Sequence, residues 1–234
     1  CITGATFVST TKGDDLTTLG VDGLGKCAKA IINQNKTVII DEGVTSISKY
    51  AFYICQNLTD VTIPESITVI DDWAFHSCNS IESVVIPDNV TSIGESAFKD
   101  CCGIKKLNLS KRITEIGYGV FYNCSGIESV VIPDSVTKIG GDAFRGCGNL
   151  KSIIIPGSVT TIGNGAFSDC DNLANVSIPD SVVDIGDGTF VYSNVIDFYV
   201  DKNNQYYSTD EYGVLFNKDK TTLIKYTSGR EDAS

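Results

Sequence analysis

Apolar residues recur in register along most of the chain. Phe52, Phe75, Phe98, Phe121, Phe144, Phe167 and Phe190 are each 23 residues apart. Ile47, Ile70, Ile93, Ile116, Ile139, Ile162 and Ile185 form a second column. Cys55, Cys78, Cys101, Cys124, Cys147 and Cys170 form a third, with Ser193 in the seventh place. Pro64, Pro87, Pro133, Pro156 and Pro179 make a fourth, interrupted by Ser110. The unit reads L-x-x-V-x-I-P-x-x-V-T-x-I-G-x-x-A-F-x-x-C. Before Pro the pattern alternates, as in Val130 and Ile132 against Val131, which predicts a short strand. Pro ends it, having no N–H for a ladder. The Ile-Gly pair predicts a second bend, with Gly free to take positive φ. The Ala-Phe segment, too short for a full helix, predicts a 3₁₀ or single helical turn.

Each unit is therefore one coil of a solenoid. A lone coil buries too little apolar surface to offset the ordering of its backbone. Stacked coils share a continuous core and ladder hydrogen bonds. The predicted organisation is an N-terminal cap over 1–37, about seven coils over 38–197, and a variant repeat over 198–234. In that last part "EYGVLFNKDKTTLIKY" predicts a β-hairpin around Asn217–Lys220, in a protein that continues beyond Ser234.

These columns resemble the BspA-like leucine-rich repeats over residues 38–200. The resemblance implies a right-handed β-rich horseshoe with a parallel sheet and short turns. It also implies a noncatalytic, adhesin-like role, secreted or at a cell surface. One departure is plain: the Asn place of the general leucine-rich repeat holds Ser66, Asn89, Arg112, Ser135, Ser158 and Ser181.

Composition narrows the partners. A net charge of −11 and a single small basic cluster, Lys105, Lys106, Lys111 and Arg112, argue against nucleic acid. No apolar run is long enough to span a membrane. The chain has no methionine and starts at Cys1, as a mature or trimmed fragment would. It is expected to be a monomer and to need no cofactor.

Candidate chemistry is sparse. Stacked cysteines point the same way, which suits neither disulfides nor a zinc site, so they are expected to be buried and inert. Cys102 is offset from the column and expected to be exposed. A Cys1–Cys27 bridge in the cap stays open. His76, the only histidine, is expected on a surface turn without a catalytic partner. Trp73 reads equally as an exposed contact or as packing. The column Glu65, Asp88, Lys111, Asp134, Gly157 and Asp180 reads as a solvated rim. Glu82, Lys105, Glu128 and Lys151 alternate in sign on successive strands. "GVDGLGKC" at 20–27 lacks the spacing of a phosphate loop, and a cap enzyme using Asp14 or Asp15 is the weakest reading.

The outward strand positions vary most. One column holds Thr62, Val85, Asn108, Val131, Ile154, Ser177 and Val200; its neighbour holds Asp60, Ser83, Lys106, Ser129, Ser152 and Asn175. Exposed Val85, Val131 and Ile154 would form an interaction patch, with Thr62, Asn108 and Lys106 beside them. The expected function is recognition of an extracellular protein or glycan through this face. The alternative is a structural spacer or assembly module in a longer surface protein.

Overall fold

The computed structural model describes residues 37–227 and two strands before them, β1 (Thr18–Leu19) and β2 (Ile31–Ile32). The rest of the expected cap, with Cys1, Cys27, Asp14, Asp15 and the whole 20–27 segment, lies outside the described residues. So do residues 228–234.

The period of 23 builds a parallel solenoid of about seven coils. A three-residue strand starts the coil: β3 (Thr37–Ile39), β5 (Asp60–Thr62), β7 (Ser83–Val85), β9 (Lys106–Asn108), β12 (Ser152–Ile154). Its later counterparts, β14 (Asn175–Ile178) and β16 (Asp197–Val200), have four residues. A two-residue strand follows at the Ile column: β4 (Ser46–Ile47), β6 (Val69–Ile70), β8 (Ser92–Ile93), β10 (Glu115–Ile116), β11 (Lys138–Ile139), β13 (Thr161–Ile162) and β15 (Asp184–Ile185). Equivalent positions pair coil to coil, as Val85 with Asn108 and Ile139 with Ile162. β17 (Tyr207–Thr209), β18 (Leu215–Asn217) and β19 (Leu223–Lys225) then form an antiparallel sheet. The β18–β19 hairpin encloses the expected turn. No helix occurs among the described residues, so none there is long and apolar enough to cross a membrane.

Two local expectations are overturned. Residues 127–132, including the alternating Val130–Ile132 used to predict the strand, form no strand. Alternation survives there, with Val131 outward and Ile132 buried, but the ladder stops at β9 and resumes at β12. The Ala-Phe segment is not a helical turn either. Ala51 N–H bonds to Ser48 O, Tyr53 N–H to Tyr50 O, and Cys55 N–H to Phe52 O. Tyr50 and Ile54, at the third place of two of these turns, have φ of 62° and 59°, which breaks helical continuation. The intervening N–H groups of Tyr50, Phe52 and Ile54 bond to Asp72, Ala74 and His76 of the next coil. All six interfaces between the seven phenylalanine coils carry three such bonds, at 2.6–3.3 Å.

The core follows from these constraints. The seven Phe rings stack with centroids 4.8–5.9 Å apart and planes within 18°. The Ser column ties each coil to the one before it. Ser66, Ser135, Ser158 and Ser181 each donate to a carbonyl 22 residues back at 2.6–2.7 Å. Ser110, in the Pro place, donates to Val90 O. Beyond the last coil, Asn204 takes over this position, donating to Pro179 O and Val182 O. The Tyr207 hydroxyl accepts the Ile185 N–H at 2.8 Å, covering the end of the short-strand ladder.

Glycine in the Ile-Gly pair has a different cause from the one expected, since none of these residues is at positive φ. A Cβ on Gly163 would lie 2.5 Å from Gly141 N and 2.7 Å from Gly140 C, so the coils can approach only without a side chain. Gly163→Ala is therefore expected to destabilise the protein by about 1–3 kcal/mol. Gly157→Ala, with nothing within 4 Å of the new methyl, should change stability by less than ~0.5 kcal/mol. Urea unfolding of the two variants measures the difference.

Candidate functional site

The cysteine column was the first candidate for chemistry. Cys55, Cys78, Cys101, Cys124, Cys147 and Cys170 are all buried and unbridged, while Cys102 is exposed. Each thiol from Cys78 onward donates to the Phe carbonyl 26 residues earlier, at 3.0–3.4 Å. Burial pushes the Cys78, Cys124 and Cys147 thiols well above their ordinary range and Cys170 up to about 12. These are structural donors, held protonated, not nucleophiles. Among the described residues no three His, Cys, Asp or Glu converge as metal ligands.

His76 differs from expectation. It is buried rather than on the surface, because its ring packs against Tyr53 and Trp73, with centroids 5.0 Å from each. Its Nδ1 lies 2.9 Å from Lys99 O, so that nitrogen carries a hydrogen and donates it. Trp73 is half-buried at φ 58°, with Lys99 Nζ 5.8 Å from its ring. It therefore packs and contacts solvent at once.

The outward strand positions present a continuous face. Thr62, Val85, Asn108, Val131 and Ile154 are all exposed in one column, and Lys106 is exposed in the next. Val85 is 55% exposed, Val131 83% and Ile154 73%. Their inward neighbours, such as Val61, Val84 and Ile153, are buried, so the pleat forces these side chains out. At about 4.8 Å per coil, Val131 and Ile154 sit on adjacent coils as one apolar patch. Beside it, Lys105 pairs with Glu82 at 3.5 Å and Lys151 with Glu128 at 2.8 Å. All four are exposed, so these pairs contribute little stability. Lys151 holds the Glu128 carboxyl below its usual range. In the rim column, Lys111 pairs with Asp88 at 3.8 Å.

The column is longer than the sequence reading made it. Ile39 pairs with Thr62 and extends it by one coil. Its other end is Tyr199, not Val200, because Ser177 pairs with Tyr199. One residue fewer separates Ser193 from Val195 than separates Cys170 from Leu173, and this shifts the strand register. Ile39 was within reach of the 23-residue count. Tyr199 could have been found by aligning buried Phe198 with Val176.

The fold and this exposed strand face define a leucine-rich-repeat solenoid. The chain belongs to the BspA type leucine rich repeat family, which matches residues 26–148 and 114–222 in six copies. It is similar to a leucine-rich repeat protein from Eubacterium ventriosum, at 25% identity and a TM-score of 0.53, over 86% of this chain and 49% of that one. It is also similar to a leucine rich cell surface protein from Faecalibacterium prausnitzii, at 29% identity and a TM-score of 0.49, over 68% of this chain and 52% of that one. The chain thus spans about half the length of these two relatives. No curated protein matches it significantly. Family membership points to noncatalytic binding or a surface role.

The thiol column makes stability depend on alkaline pH. A thiol whose pKa is raised in the fold leaves stability intact below the unfolded value, near 8.5, and removes it as pH rises towards the folded value. The urea midpoint is therefore expected to fall between about pH 9 and 12. Cys124→Ala should lower the midpoint at pH 7 and flatten this alkaline decline. A decline equally steep in the variant would count against the thiols as its source.

Proposed function

We propose that this chain is a noncatalytic recognition module for an extracellular protein, and that the outward strand face makes the contact. The observation that carries this reading is the apolar patch of Val131 and Ile154, in line with Val85. Large β-branched side chains suit a strand, but Val131 lies where no strand forms, so strand propensity does not account for it. Contiguous exposed apolar surface in a polar setting favours a partner. Asp60, Lys106 and the Glu–Lys pairs form a charged margin around it, as in protein interfaces. Ile39 and Tyr199 place further apolar area at the two ends. Adhesion at a cell surface is the setting that family membership favours.

The test is binding of the chain to immobilised extracellular-matrix proteins, beside a Val85→Glu, Val131→Glu, Ile154→Glu variant. The parent is expected to bind with micromolar affinity or better, and the variant at least tenfold more weakly, with unchanged thermal stability. Absence of binding by the parent would favour the spacer reading. Equal binding by both proteins would move the contact to another face.

A further inference from the structure

The phenylalanine turns carry a second surface whose chemistry differs from the strand face. Their side chains change character along the solenoid. Early coils display Tyr50, Tyr53 and Trp73, in edge and tilted contact. Later coils replace these bulky groups with small and polar ones, which opens a groove of about 670 Å³. Tyr118 stands at one end and Tyr192 at the other, with Asp142, Arg145, Asn164 and Asp187 between them. None of these belongs to the strand-face columns. The groove spans four coils, or ~14 Å at the usual strand spacing.

Its parts are held before any ligand arrives. The Tyr118 hydroxyl donates to Asp142 Oδ2 at 3.0 Å. The ring lies beside Gly141, where an added Cβ would already touch its Cδ2 at 3.4 Å. So fixed, Tyr118 still leaves 54% of its surface open, and Tyr192, at φ 56°, leaves 75% open. Arg145 is locked to Asp169 at 2.9 Å and lies 3.6 Å from Asp142. Asn164 Oδ1 accepts the Asp187 N–H at 2.9 Å, which orients the amide while the residue stays exposed.

We infer that this groove binds a short, uncharged oligosaccharide. Aromatic faces carry negative quadrupole charge and attract the weakly positive C–H face of a pyranose ring. Carboxylate, amide and guanidinium groups present donors and acceptors in planes that suit adjacent sugar hydroxyls. The groove is open to solvent along its length, so a short row of sugar rings can lie in it with one face exposed. Charge decides against acidic glycans. Arg145 is neutralised by its two carboxylate neighbours, Asp187 adds a negative charge, and Lys138 is the remaining cation of the lining in a chain of net charge −11. The saccharide site is independent of the protein-binding strand face.

Saturation-transfer NMR tests this directly, with maltotetraose, cellotetraose and triacetylchitotriose at about 10 mM and a heparin hexasaccharide as the acidic probe. At least one neutral oligosaccharide is expected to bind. Tyr118→Ala and Tyr192→Ala should each weaken it by about tenfold, whereas Tyr118→Phe should retain most of it. The Val85→Glu, Val131→Glu, Ile154→Glu variant should bind sugar unchanged, which separates this site from the strand face. Thermal melts establish that each variant is folded. No signal from the neutral panel, binding of heparin alone, or binding indifferent to both tyrosines would overturn the inference.

Discussion

The backbone hydrogen bonds of the phenylalanine turns are the constraint on which the rest of the molecule rests. Both strand ladders are interrupted: the longer one between β5 and β7 and between β9 and β12, the shorter between β8 and β10. The turn segment is not. Its N–H groups alternate between their own turn and the next coil, and the intercoil set is complete from Tyr50 to Val191. Alternation of this kind tolerates no insertion, because one extra residue would aim every later N–H the wrong way. The strand side has no such rule, and it absorbs both a one-residue deletion before β16 and a strandless stretch at 127–132.

Left-handed residues make that alternation possible. Tyr50, Trp73, Ser96, Asp142 and their partners four residues later hold φ between 53° and 74°. A side chain there costs roughly 1–2 kcal/mol, and glycine relieves the cost in later coils, as at Gly119. Five of the six cysteines add a thiol bond to a Phe carbonyl on the core side of the same segment. The segment thus has a fixed inner face and a variable outer one. Aromatic groups occupy the outer face where coils display bulk, and a groove appears where they do not.

Much of this was legible in the residues, and the failures have physical reasons. The period, the inward columns, the buried thiols, the exposed Cys102 and the β18–β19 hairpin follow from repeated spacing and from alternation. Thr62, Val85, Asn108, Val131 and Ile154 could be placed outward because a pleat leaves two choices of side. Positive φ at Tyr50 or Trp73 could not, since neither residue type announces it. The Ile-Gly glycines signalled a bend, when the cause at Gly94, Gly140, Gly163 and Gly186 was contact with the preceding coil. His76 looked like surface because burial by Tyr53 and Trp73 depends on rings from two coils. The groove was invisible for the same reason: Tyr118, Asn164 and Tyr192 occupy variable positions that only stacking brings together.

Among the described residues, the bonds between the stacked coils that follow β3 reach 20 to 26 residues along the chain and no further. No coil senses how many others there are. A stretch of 69 nucleotides, copied or lost in frame, would therefore add or delete one coil while leaving the repeating backbone bonds in place. The groove would lengthen or shorten by one step, and Asn204 and Tyr207 would close whichever coil came last. Such a gene could change the reach of its product by recombination alone, without a single substitution in the core.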